Sequence, residues 1–131
     1  MTAFVDTNVF VRHLTGDPLD QATAASRYLA AADELILTDL IVAEVAYVLE
    51  SVYQTPREHV ALSLRAILGF PAIRATDPEL FQRTVEIYDV NGLDFAEAYL
   101  IASAERSGIG VVASFDRSID RVGTVRREEP A

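Results

Sequence analysis

Five acidic residues stand where chemistry is a better reading than surface decoration. Asp6 closes the apolar run Ala3-Phe4-Val5, and Asp116 closes Val111-Val112-Ala113-Ser114-Phe115. Taken singly, each is an ordinary helix cap or turn aspartate. At the carboxyl ends of two strands of one sheet, both would lie on the edge where α/β proteins bind ligands. Glu44 falls on or beside the helical stripe Ile41, Val45, Val48, Leu49 and Val52. A carboxylate there is half of a buried ion pair with an arginine, or it is a ligand or acid/base group. Asp94 and Glu97 open another helix at i and i+3 and share a face. The plain alternative for them is capping, with Asp94 as N-cap and Glu97 at the third helical position.

Gathered in one cleft, such acids would repel by roughly 4 kcal/mol per pair at 4 Å and an effective dielectric of 20. A cluster of that kind takes up protons or binds cations. Oxygen ligands without Cys or His select Mg²⁺ or Mn²⁺. One or two such ions bridge a phosphodiester and activate water for in-line attack, so metal-dependent phosphodiester hydrolysis is the expected chemistry. A rival reading makes Asp6 the nucleophile of a phosphatase. That reading lacks the lysine such sites normally carry.

The composition narrows the field. The 131 residues include no Cys and two His (His13 and His59), and all 11 basic residues are Arg. Thiolate metal sites, cysteine nucleophiles, Schiff bases and P-loops are excluded. Asp and Glu number 20, giving a net charge of -9. Such a balance argues against a nucleic-acid partner unless carboxylates are gathered to hold divalent cations. A hydrophobic share of 50% argues against disorder. The first residues lack a basic segment before their apolar run, and no apolar run nears the roughly 20 residues of a membrane span. A cytoplasmic protein with no membrane association is expected.

The elements that must position these acids follow from periodicity and punctuation. Ala3–Val5 reads as a buried strand, and Thr7–Leu14 as a short helix ended by Gly16. A helix runs from Asp17-Pro18 to about Ala32, followed by a strand Leu35–Leu37. A helix over about Leu40–Tyr53 has Thr38 or Asp39 as cap, and Thr55-Pro56-Arg57-Glu58 is a capping box for a helix to about Leu68. Ala72–Arg74 is a possible strand, and Asp77-Pro78 starts a helix to about Val90. Asp94 caps a helix over Phe95–Ser107, apolar nearly all round and so read as buried. Val111–Phe115 is a strand, and Val122–Val125 a possible edge strand. One domain over residues 1–131 is expected, with a frayed tail from about residue 126. Strands alternating with helices imply a three-layer α/β/α fold with a short, mostly parallel sheet. The helices over 18–32 and 40–68 carry wide apolar faces, expected to serve in part as a dimer or partner contact.

The ordered set of motifs resembles a known family. Asp6-Thr7-Asn8 after a first strand, Val42-Ala43-Glu44-Val45 on a helix, Leu93 to Ala102, and Ser114-Phe115-Asp116-Arg117 are similar to the motifs of PIN-domain nucleases. Their order and the chain length resemble the VapC toxins of bacterial toxin–antitoxin pairs. The resemblance implies a Mg²⁺- or Mn²⁺-dependent endoribonuclease, a homodimer, an RNA substrate and a cognate antitoxin. It places Asp6, Glu44 and Asp116 as the first, second and fourth acids. The third position falls on Glu97, where the family usually has Asp, with Asp94 one turn earlier as contributor or substitute. Asn8 and Ser114 match polar positions that orient the acids. The competing expectation is a PIN-like binding module with a degraded site, acting through a protein partner. Arg12, Arg117 and Arg121 are candidate phosphate contacts, and His13 is expected to be a surface or partner contact rather than a base.

Overall fold

The computed structural model describes residues 1–131. The chain divides into two compact units, Met1–Pro78 and Glu79–Ala131.

In the first unit, three short strands form a parallel sheet in the order β1-β2-β3: β1 Thr2–Phe4, β2 Glu34–Leu37 and β3 Ile73–Ala75. The register pairs Phe4 with Ile36, and Leu37 with Ala75. Four helices belong to this unit: α1 Thr7–Thr15, α2 Leu19–Ala31, α3 Asp39–Ser51 and α4 Arg57–Leu68. Helix α1 packs on α2 and α3, α3 on α4, and α4 on β3. Phe10, Leu29, Val45, Val60 and Leu64 are fully buried. Burial stabilises each such side chain by roughly 1.5–3 kcal/mol. Helix α1 stops at Gly16, whose φ of 72° is the left-handed conformation that glycine adopts without a Cβ clash.

The second unit contains α5 Pro78–Asn91, which begins at the boundary, then α6 Phe95–Ser107 and the strands β4 Val111–Ala113 and β5 Arg126–Glu128. The two strands pair in parallel, with Val112 opposite Arg127. A 3₁₀ turn, Arg117–Arg121, connects them and packs on β5. Helix α6 packs on β4, and Tyr88 and Phe95 meet edge to face at 5.9 Å.

The α/β class holds, with parallel sheets and flanking helices. Several local expectations do not. Strand β1 is the edge of its sheet rather than a buried strand, and Phe4 is 77% exposed. The capping box at Thr55 does not form: Thr55 N–H bonds back to Leu49 O in the turn after α3, and Pro56 occupies the cap of α4. Asp94 stands at the cap of α6 without a side-chain bond there. Helix α6 is two-sided rather than buried all round, with Leu100 47% exposed. Strand β4 ends at Ala113, so Ser114 and Phe115 belong to the following turn. The last strand is Arg126–Glu128, not Val122–Val125, and the tail expected to fray from about residue 126 opens with this strand. Of the apolar helix faces, Leu29, Leu49, Val60 and Leu64 are core, whereas Leu40 and Val52 are exposed.

Candidate functional site

Asp6 follows β1 and caps α1, where its Oδ1 accepts the Thr7 N–H at 2.7 Å. The cap aims the start of α1 at the carboxyl end of the strand. Glu44 reaches the same place from the second turn of α3. Asp6, Thr7, Asn8, Val11, Arg12, Glu44 and Val48 line one cavity of about 240 Å³. The first unit therefore brings the first two sequence-selected acids to a common wall.

Glu44 is not the buried carboxylate its position suggested. The buried stripe of α3 is Val42, Val45, Ala46 and Leu49, and Glu44 lies beside it, exposed and without an ion pair. The arginine-paired alternative is thereby removed. Asn8 is exposed on the cavity wall and makes no hydrogen bond to either acid. Arg12 donates its Nε–H to Gln21 Oε1 at 2.8 Å and lines both this cavity and a groove between α1 and α2. Thr7 is the residue the sequence reading missed. Its Oγ1 is buried without a hydrogen-bond partner, although the residue lines this acid-walled cavity. A hydroxyl left so costs about 1–3 kcal/mol unless a water or ion satisfies it.

In the second unit, Glu97 and Asp116 are in hydrogen-bonding contact. Asp116 holds its proton-free form down to about pH 2, because Glu97 donates to it and Ser118 adds bonds from its hydroxyl and backbone. Glu97 is raised above its ordinary value, first by that shared bond with Asp116 and then by burial. The Ser118 hydroxyl donates to Glu97 Oε2 at 3.1 Å, and Ser118 N–H donates to Asp116 Oδ1 at 2.9 Å. Ser114 Oγ accepts the backbone N–H of Asp116 at 2.9 Å. Asp94 acts on Glu97 only through its charge. Ser118 escaped the sequence reading because a serine in a polar turn carries no signal of its own.

Arg121 binds the carbonyls of Gly92 and Asn91 and lowers Asp116 weakly through its charge. His13 is half-buried: its Nδ1 lies 2.7 Å from Ser26 Oγ, its ring meets Phe70 edge to face at 5.1 Å, and burial lowers its pKa.

Within neither unit do three acidic or histidine side chains gather closely enough to hold a metal ion. The donors are carboxylates and hydroxyls in two pairs, a set suited to a hard divalent cation. Two neighbouring carboxylates tied through Ser118, and an orphaned hydroxyl beside two more, are features that such an ion would satisfy.

The family model described as the PIN domain matches residues 3–125. The chain belongs to the PIN-domain family. Nuclease activity is the general activity of PIN domains, and the match runs through every acid described above. Among solved structures, this PIN domain is similar to the crystal structure of VapBC2 from Rickettsia felis bound to a DNA fragment from their promoter. The identity is 16%, 100% of each chain is covered, and the TM-score is 0.39. No curated protein matches the chain by sequence. The assignment rests on the family match.

Proposed function

We propose that this PIN domain is a Mg²⁺- or Mn²⁺-dependent endoribonuclease of the VapC type, the toxin of a toxin–antitoxin pair. One observation carries the reading: in a PIN-family chain, the Glu97 and Asp116 carboxylates are in direct contact, a costly arrangement at neutral pH unless a cation relieves it.

The resemblance assigns cation binding to Asp6, Glu44, Glu97 and Asp116; Asp6 and Glu44 share one cavity wall in the first unit, and Glu97 and Asp116 are tied through Ser118 in the second. Glu97 takes the third acid's role, because it touches Asp116 and Ser118 whereas Asp94 acts through charge alone. The ion, when bound, polarises the phosphodiester and lowers the pKa of an attacking water. Ser114 and Ser118 fix the Asp116 carboxylate by donating to or accepting from its turn. Arg12, beside the acids and bonded to an uncharged amide, is the residue to meet a substrate phosphate. One such cation reconciles a net charge of -9 with a polyanionic substrate.

The toxin role, the antitoxin partner, the homodimer and a cytoplasmic location rest on the resemblance of the four ordered motifs. No helix is long and apolar enough to cross a membrane. We take residues 1–131 as a single PIN-like domain.

The test is cleavage of a single-stranded RNA with Mn²⁺ or Mg²⁺ and with a chelator, beside calorimetric titration of Mn²⁺. Cleavage only with the ion supports the reading. Absence of both binding and cleavage leaves the PIN-like binding module.

A further inference from the structure

The segment expected to fray holds a cation that grips the Asp116 turn from both sides. Arg127 lies in β5 opposite Val112, and its side chain is only 13% exposed. Its Nε and Nη2 donate to Asp120 Oδ1 and Oδ2 at 3.1 and 3.4 Å. Its Nη1 donates to the Ser114 carbonyl at 3.0 Å and to Glu129 Oε1 at 3.1 Å. Ser114 lies two residues before Asp116, and Asp120 four residues after it. One planar guanidinium thus spans the two ends of the turn that carries the acid.

Surface stability does not explain this arrangement. Asp120 and Glu129 are 56% and 50% exposed, and exposed pairs contribute little. The bond to Ser114 O is different in kind. It fixes a backbone carbonyl of the turn whose serine hydroxyl already receives the Asp116 N–H. Only a fork of donors reaches a carboxylate and a carbonyl at once; an ammonium does not reproduce that geometry.

We propose that Arg127 is a positioning residue that sets the Asp116 carboxylate for cation binding by clamping Ser114 and Asp120. The proposal rests on the reading of Asp116 as a cation ligand. It does not require Arg127 to touch the ion or the RNA.

Three variants test it: Arg127→Ala, Arg127→Lys and, as control, Glu129→Gln, each first shown to be folded by circular dichroism and gel filtration. Three measurements are made on each: hydrogen exchange at the Asp116, Ser118 and Ile119 amides without metal, Mn²⁺ affinity by calorimetry, and kcat and KM on single-stranded RNA. Arg127→Ala should exchange faster at those amides, and both its Mn²⁺ affinity and its kcat should fall about tenfold, with KM nearly unchanged. Arg127→Lys should recover only part of each loss, and Glu129→Gln should match the parent. Parent-like exchange and Mn²⁺ affinity in Arg127→Ala would overturn the clamp. So would full recovery by Arg127→Lys, which would reduce the role to bare charge. If Arg127→Ala does not fold, Arg127→Lys decides, and parent-like values in all three measurements would again overturn the proposal. A parent that neither binds Mn²⁺ nor cleaves RNA, with exchange still raised in Arg127→Ala, would sink the nuclease reading while supporting the clamp.

Discussion

Glu97 on α6 and Asp116 in the turn after β4 share one hydrogen bond between two carboxyl groups. The contact lowers Asp116 to about 2 and raises Glu97. Asp116 is thus the more acidic member of the pair, and Glu97 the one whose charged form is disfavoured.

The pair makes stability depend on pH in two opposite ways. Asp116 lies below its ordinary 3.8, so its contribution is present above about pH 4 and lost as pH falls towards 2. Glu97 lies above its ordinary 4.5, so its contribution is complete below that pH and lost as pH rises through the raised value. In a chelator, the parent's melting temperature should therefore fall as pH rises above about 4.5. Glu97→Gln should fall less over the same range. Equal slopes in thermal melts would show that the two carboxyls are not coupled.

The elements that position the site were legible where local chemistry decides. Gly16 and Gly108 end α1 and α6 because each takes a positive φ, and Asp6 caps α1 because it follows an apolar run. Tertiary pairing decided the rest. Glu97 and Asp116 are 19 positions apart, and their contact depends on how the Arg117–Arg121 turn folds back to place Ser118 between them. Strand β5 reads Arg-Arg-Glu, with no apolar alternation to reveal it, because it pairs along β4 with two of its three residues exposed. The apolar spacing places Glu44 on or beside the buried stripe, but the stripe on α3 is shifted by one residue towards Val42 and Ala46, which leaves Glu44 exposed.

Glu44→Gln separates function from stability. Glu44 is exposed and unpaired, so the change should move stability by no more than about 0.5 kcal/mol. It should lower Mn²⁺ affinity and RNA cleavage at least about tenfold, since it removes an anionic donor from the cavity it shares with Asp6. Melting curves and calorimetry on the same preparation check both. A large loss of stability would instead reveal a partner that Glu44 cannot spare.

Leu40, Tyr47 and Val52 on or just after α3 are 75%, 68% and 67% exposed. We expect this surface to contribute to the proposed homodimer. Light scattering at tens of micromolar should give twice the 14.4 kDa chain mass, and Leu40→Glu should shift it towards the monomer. A parent that runs as a monomer throughout would remove the dimer from the account.

The central claim is that Asp6 and Asp116 are each required for a cation-dependent RNA cleavage. Its most direct measurement is the rate of RNA cleavage in Mn²⁺ for the parent, Asp6→Asn and Asp116→Asn, with each variant's fold verified. Each substitution removes one negative charge without changing side-chain volume. The expected result is cleavage by the parent that a chelator abolishes, and a loss of at least about a hundredfold in each variant alone. Undiminished cleavage by either variant, or parent cleavage indifferent to the chelator, would contradict it.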